Sequence, residues 1–353
     1  MIIMETKVIV IDEENIDRES LKEAGDIIKR GGLVAFPTET VYGLGGDALN
    51  PDSSKKIYQA KGRPSDNPLI VHICNMDDIK KIVKEVTPAA KKLADRFWPG
   101  PLTMILTKAD CVPVETTGGL DTVAIRMPVH STARAFIKVA GGYVAAPSAN
   151  ISGKPSPTCA KYVIQDMNGR IDMIIDGGEA GIGLESTIID LSGEVPVLLR
   201  PGYITIEQLR AVLGEVDVDK TIMDGNCKDR PKAPGMRYRH YAPKGDLKIV
   251  TGDATKVVEQ INELTKEAKE TGKKVGIIAT DETVEDYIAD SVKSIGGRED
   301  EDTIAHRLYT ILREFDDEDI EVIYSESFST SGVGQAIMNR LLKAAGHQVL
   351  DIR

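Results

Sequence analysis

Cysteine is scarce in this chain of 353 residues: Cys74, Cys111, Cys159 and Cys227 stand far apart, with no C-x-x-C pair among them. That spacing excludes a zinc ribbon and a disulfide framework, and fits reduced thiols in a cytoplasmic protein. The five histidines never fall four residues apart, so no metal-binding helix of the H-E-x-x-H kind is present. No apolar run approaches the roughly 18 residues of a membrane span. The stretch Met1-Ile-Ile-Met-Glu-Thr-Lys7 lacks the basic start, apolar core and cleavage site of an export signal. A Walker A loop and a G-x-S-x-G elbow are missing too. An excess of cations is also lacking, because the net charge is −11. A protein built mainly to grip nucleic acid is usually basic, so direct RNA binding is expected to be weak or absent.

What is present is ordinary for a soluble protein, with 41% hydrophobic and 28% charged residues. The length predicts two domains. Leu21, Ala24, Ile27 and Ile28 form a helical stripe that Gly31-Gly32 ends. Thr87 before Pro88 reads as a cap followed by proline at the first helical position. Strand-like runs at 33–36, 102–107, 122–126, 143–146, 171–175, 185–191 and 195–199 outnumber the helices. They predict a mixed α/β sheet with flanking helices rather than a strict βαβ series. Residues 214–245 are turn-rich and basic, and read as a linker between a domain at 1–213 and another at 246–353. In the latter, strands at 247–250, 274–278 and 320–324 alternate with helices at 255–270, 303–315 and 335–345, the pattern of a small Rossmann-like domain. Gly332-Val-Gly334 opens the last helix, but Ile337 occupies the third glycine place of a dinucleotide fingerprint. The acidic run Asp316-Asp-Glu-Asp319 reads as a solvated turn.

Candidate chemistry sits in polar loops that follow strands, where α/β sheets bind ligands. Phe36-Pro-Thr-Glu-Thr-Val-Tyr-Gly-Leu-Gly-Gly46 is either a ligand loop or a turn in which Thr38 or Thr40 caps a helix. In Lys61-Gly-Arg-Pro-Ser-Asp-Asn-Pro-Leu-Ile-Val-His72, Lys61 and Arg63 are positioned to reach one polyphosphate, Lys as a point charge and Arg as a fork. Both are expected to be exposed on the loop. Asn67 can donate and accept, and His72 ends a strand as either a core histidine or a ligand contact. Arg126 in Thr122-Val-Ala-Ile-Arg-Met-Pro128 is costly to bury without an anion. Ala145-Ala-Pro-Ser-Ala-Asn-Ile-Ser-Gly-Lys-Pro-Ser156 combines small residues with hydroxyl and amide groups. Gly183-Leu-Glu-Ser-Thr-Ile188 and Arg200-Pro-Gly202 complete the set. Such a site suits electrostatic stabilisation of phosphates better than covalent catalysis.

These segments, with Trp98-Pro-Gly-Pro-Leu-Thr103 and Ala233-Pro-Gly-Met-Arg-Tyr-Arg-His-Tyr-Ala-Pro243, resemble in order and spacing the two-domain Sua5 form of the Sua5/YrdC family of L-threonylcarbamoyladenylate synthases. The resemblance implies a YrdC-like domain at 1–213, a linker that closes over the active site, and a Sua5 C-terminal domain. It implies formation of threonylcarbamoyl-AMP and pyrophosphate from L-threonine, bicarbonate and ATP. A complex of the KEOPS/TsaD type would then transfer the group to adenosine 37 of tRNA. By motif, Thr40, His72, Arg126, Ala146 and Ser186 would contact threonine. Lys61, Arg63, Asn67, Thr122, Ser148, Asn150, Ser156, Arg200, Arg237 and Tyr241 would hold ATP, with Lys61 and Arg63 acting catalytically on its phosphates. Mg²⁺ would arrive with ATP, held by phosphates and water instead of protein side chains. The basic segment 228–244, with Tyr238 and Tyr241, also admits an RNA-binding reading, and a sensor that binds both ligands without turnover is a third.

Overall fold

A computed structural model describes residues 5–222, 233–234 and 240–352. The chain divides into two compact units, one of Met1–Ser152 with Ser156–Arg237, the other of Gly153–Pro155 with Tyr238–Arg353.

The first unit opens with β1 (Lys7–Val10), α1 (Arg18–Lys29), β2 (Val34–Phe36), β3 (Gly43–Asp47), α2 (Pro51–Lys61) and β4 (Ile70–His72). It continues through α3 (Ile79–Ile82), α4 (Pro88–Phe97), β5 (Leu102–Thr107), β6 (Thr122–Arg126), α5 (Ser131–Val139) and β7 (Val144–Ala146). It ends with α6 (Ala160–Met167), β8 (Met173–Asp176), β9 (Thr187–Asp190), β10 (Val197–Arg200), α7 (Ile206–Leu213) and β11 (Asp217–Val218). The strands form one sheet in the order β1-β8-β2-β3-β7-β4-β6-β5-β9-β10-β11. Parallel pairs (β4 with β6, β5 with β9) alternate with antiparallel ones (β2 with β3, β5 with β6), so the sheet is mixed.

Side chains alternate across a strand, and each face of this sheet is used differently. One face carries Ala35, Leu44, Val71, Met104, Ile125, Ala145, Ile174 and Ile189 into the main core, packed under α2, α4, α6 and α7. The opposite face is covered over β8, β2 and β7 by α1 and α5, through Leu21, Ile28 and Phe136 on Val34, Phe36, Val144 and Met173. Beyond those helices the same face continues as a small apolar floor of Ile70, Ile105, Ala124, Ile188 and Leu199, with Ala233 packed on it. Ile70 and Ala146 are ladder partners, which puts the floor and the helix-covered region on one side.

Local chemistry explains the elements. Asp17 caps α1 through the amides of Glu19 and Ser20, and Thr87 caps α4 through Ala90 with Pro88 at the first position. The second unit contains β12 (Asp246–Thr251), α8 (Ala254–Glu270), β13 (Val275–Ala279), β14 (Ser291–Ser294), α9 (Glu301–Asp317), β15 (Val322–Glu326), α10 (Gly334–Ala344) and β16 (Val349–Asp351). Its sheet is wholly parallel in the order β14-β13-β15-β12-β16, the Rossmann-like arrangement that the alternation implied.

Four local expectations are corrected. Gly43–Asp47 is a central strand, not a turn, because a Cβ on Gly45 would come within 2.8 Å of Val144 and 3.0 Å of the Val34 carbonyl. Only glycine fits where β2 approaches so closely. The residues after Thr38 therefore enter that strand, and neither threonine caps a helix. The first-unit sheet runs on past residue 213: Val216 is buried and Asp217–Val218 pairs with β10. A two-residue edge strand carries too little periodicity to see. Asp316 is buried at the end of α9, accepting from the Lys244 amide at 2.6 Å, whereas Asp317, Glu318 and Asp319 are exposed, so only the first residue of the acidic run departs from a solvated turn.

Candidate active site

The sheet face between the α1/α5 cover and the apolar floor carries the polar side chains. His72 ends β4 opposite Arg126, which ends β6, and Thr103 on β5 lies across from Arg126 on the other side. Period-two alternation therefore brings an imidazole, a guanidinium and a hydroxyl onto one face. Arg126 is 4% exposed; its Nη1 donates to Thr40 Oγ1 at 2.7 Å and its Nε to the Gly100 carbonyl at 3.4 Å. Its Nη2 lies 2.7 Å from Glu39 Oε1. Thr38 and Thr40 share a hydroxyl–hydroxyl hydrogen bond of 2.9 Å, and Thr38 also donates to the Val41 carbonyl. The turn thus fixes Thr40 toward Arg126.

Thr103 and Ser186 hydroxyls meet at 2.7 Å, and Arg200 donates to the Ser186 carbonyl from Nη2 at 2.9 Å and from Nε at 3.1 Å. Arg200 reaches this face because the register between β9 and β10 shifts between Leu198 and Arg200. That bulge lets consecutive Leu199 and Arg200 serve the same side, Leu199 in the floor and Arg200 on Ser186. Its Nη1 donates to the Pro234 carbonyl at 3.2 Å, so Ala233 and Pro234 lie against this face.

Backbone hydrogen bonds sew the loops together. Tyr42 N donates to Pro157 O and Ala149 N to Tyr42 O, while Ile182 N and Gly183 N donate to the carbonyls of Glu39 and Thr40. The loops holding Thr40, Ser148, Ser156 and Ser186 are therefore neighbours although they are up to 146 residues apart in sequence (186 − 40). Ser156 Oγ donates to Glu185 Oε1 at 2.6 Å, and Ser148 Oγ to Asn150 Oδ1 at 2.5 Å. Ala146 faces the site side of β7 as the ladder partner of Ile70.

Lys61 and Arg63 correct the expectation of exposure. Lys61 is the last residue of α2, only 2% exposed, and its ammonium donates to the carbonyls of Ser148 and Asn150, each at 2.5 Å. A cation with a four-carbon stem reaches back from a helix end to carbonyls that no proximity in sequence announces. Arg63 is 7% exposed and donates to the carbonyls of Asn67 and Pro68 at 3.3 and 3.2 Å, folding its own loop. Gly62 between them takes φ +62°, the left-handed cap that ends α2.

Burial, then the neighbouring Arg126 charge, pushes the His72 ring down to about 3, so it is neutral; its Nδ1 faces the Ile70 carbonyl at 3.1 Å. His72 is thus at once a core residue and a neighbour of Arg126.

Thr122 begins β6, four residues from Arg126 and so about 13 Å along the strand. Tyr241 belongs to the second unit, where it stacks on Tyr309 with ring centroids 5.2 Å apart. Arg237 lies outside the described residues. Sequence reasoning passed over Glu39, Thr103 and Glu185, each of which sat inside a quoted motif and lacked only a reason to be singled out. Among the described residues no group of three or more His, Cys, Asp or Glu side chains is placed to hold a metal ion. None of the described helices is long and apolar enough to cross a membrane.

Fold and site together define an α/β protein with a cation-bearing, hydroxyl-rich sheet face, joined to a parallel α/β unit. A family model described as "Telomere recombination", built on Sua5, YciO and YrdC proteins, matches residues 26–202. A second, "Threonylcarbamoyl-AMP synthase, C-terminal domain", matches residues 204–346. The chain belongs to the Sua5/YrdC family, in its two-domain form. It is 49% identical to the threonylcarbamoyl-AMP synthase of Bacillus subtilis, covering 97% of each chain. It is 47% identical to that of Pyrococcus abyssi, covering 98% of this chain and 99% of the relative. The crystal structure of P. abyssi Sua5 complexed with L-threonine superimposes with a TM-score of 0.93 at 46% identity, covering 99% of this chain and 100% of that one.

Proposed function

We propose that this chain is an L-threonylcarbamoyladenylate synthase, joining L-threonine, bicarbonate (as CO₂) and ATP into threonylcarbamoyl-AMP and pyrophosphate. The observation that carries the reading is the likeness over nearly the whole chain to two proteins of that name. The site chemistry supports it. Arg126 is a buried cation that donates to Thr40, and it suits the amino-acid carboxylate. Lys61, Arg63, Asn67, Ser148, Asn150, Ser156 and Arg200 are assigned to ATP, with Lys61 and Arg63 on the phosphates. For Lys61 this requires its ammonium to share the Ser148 and Asn150 carbonyls with an anion, or to leave them.

Mg²⁺ is assigned to the nucleotide, since hard cations bound to ATP keep phosphate and water ligands and ask few groups of the protein. When bound, it would neutralise charge developing on the leaving pyrophosphate. The protein's share is positioning: threonine held by Arg126, Thr40 and Ser186 presents its amine to CO₂, and the resulting carbamate is presented to the α-phosphorus. A mixed anhydride of this kind is reactive toward water and amines. It therefore suits hand-off to a KEOPS/TsaD-type transferase that modifies adenosine 37 of tRNA.

The test is pyrophosphate release from ATP with and without L-threonine and bicarbonate. We expect release only with both; release indifferent to threonine would overturn the assignment. The RNA-binding reading instead requires tRNA affinity with a steep salt dependence.

A further inference from the structure

Glu39 is the residue of the site that the assignment above leaves without a task. It is 9% exposed, and neither carboxylate oxygen has an aligned hydrogen-bond donor among the described residues, although Oε1 stands 2.7 Å from Arg126 Nη2. That guanidinium nitrogen likewise has no aligned acceptor. Buried carboxylates ordinarily collect several donors, and a buried ion pair gains little unless its remaining lone pairs and protons are satisfied. Glu185, the other buried carboxylate here, takes the Ser156 hydroxyl at 2.6 Å. Glu39 and Arg126 therefore hold opposite charges in contact, both buried, with donor and acceptor capacity left over on both.

A zwitterion supplies what both lack. Its carboxylate satisfies the guanidinium and its ammonium, with three donors, satisfies the carboxylate. We infer that Glu39 receives the α-ammonium of the amino-acid substrate, forming with Arg126 a two-charge clamp that selects α-amino acids and fixes the position of their nitrogen. In the structure the two side chains neutralise each other, and a bound zwitterion would open the pair. Thr38 and Thr40 flank Glu39 in a turn held by the Thr38 hydroxyl, and the Glu39 carbonyl accepts from Ile182 N, so the carboxylate is carried on a fixed backbone. Besides Arg126, the titratable group facing Glu39 is His130, which burial holds below the usual imidazole range and which lies 3.4 Å from Glu13.

This inference rests on the proposed activity, and one experiment separates the two. Calorimetric titration of the full chain and of Glu39→Gln uses L-threonine and 2,3-dihydroxybutanoate, the acid with a hydroxyl in place of the amine. We expect the ratio of affinities, threonine over hydroxy acid, to fall at least about tenfold in Glu39→Gln, as a charge-assisted hydrogen bond is lost. An unchanged ratio overturns the clamp, whether both ligands weaken because Glu39 only props Arg126 or both tighten because it only plugs the site. If Glu39→Gln does not fold, Glu39→Asp serves: the preference for threonine persists there, and its loss in a folded Asp variant counts against the clamp. A parent chain that binds neither acid overturns the proposed activity and the clamp with it; threonine binding with an unchanged ratio overturns the clamp alone.

Discussion

His72 and Arg126 are ladder partners at the ends of two parallel strands, so a neutral imidazole and a permanent cation leave the sheet side by side. Burial first and that cation second hold the ring down to about 3, against about 6.5 in an unfolded chain. Above pH 6.5 neither state binds the proton, and the histidine does not tilt the stability curve. Between pH 6.5 and about 3 the unfolded chain takes up a proton that the folded one refuses. Stability then drops as pH falls, by up to about 1.4 kcal/mol per unit. Denaturant midpoints from pH 7 to 4 should fall more steeply for the parent chain than for His72→Gln. Parallel curves would contradict this account.

Lys61→Ala should lower stability as well as activity. The ammonium ties the end of α2 to the carbonyls of Ser148 and Asn150 in a fully buried place. Removing it strands those acceptors, at a cost of about 2–4 kcal/mol. A thermal midpoint identical to the parent would show that the loop is held by other means.

Gly202→Ala should be more damaging than its size implies. A Cβ there would meet Thr187 N at 2.5 Å and the Glu185 carbonyl at 2.9 Å, both backbone atoms that cannot swing aside. Forcing the two chains apart would displace Ser186 and Arg200 together. We expect a loss above about 2 kcal/mol by chemical denaturation, with threonine binding weakened in whatever protein still folds.

In the second unit, Glu326 is 2% exposed and accepts from Tyr287 at 2.9 Å, from Thr283, and from Arg298 in an ion pair. Glu326→Ala removes the acceptor of the Tyr287 hydroxyl and the ion-pair partner of Arg298, and we expect a cost of about 3–5 kcal/mol. The calorimetric transition of the second unit should move down, while a transition that stays in place would deny the cluster a stabilising role.

Much of this was legible because local rules sufficed. The stripe from Leu21 to Ile28, the Thr87-Pro88 cap and the β-rich runs depend on spacing within a few residues, and they mark elements that formed as read. The motifs that identify the family are likewise strings. What escaped was set by distant partners. Gly43–Asp47 has the composition of a turn, and it is a strand because Val34 and Val144 crowd it from both sides. Asp316 looked solvated until Lys244, 72 residues away, placed its amide on it.

By itself the sequence determined the two α/β units, the chemistry available to the site and the family, since each is written in residue type and short-range period. Only the tertiary structure decided how that chemistry is arranged. It turned Lys61 inward to hold a loop, aimed Arg200 through a bulge, and set Glu39 against Arg126. Those outcomes depend on ladder register and on loops sewn together across more than a hundred residues, and register between distant strands is fixed by packing that no single stretch contains.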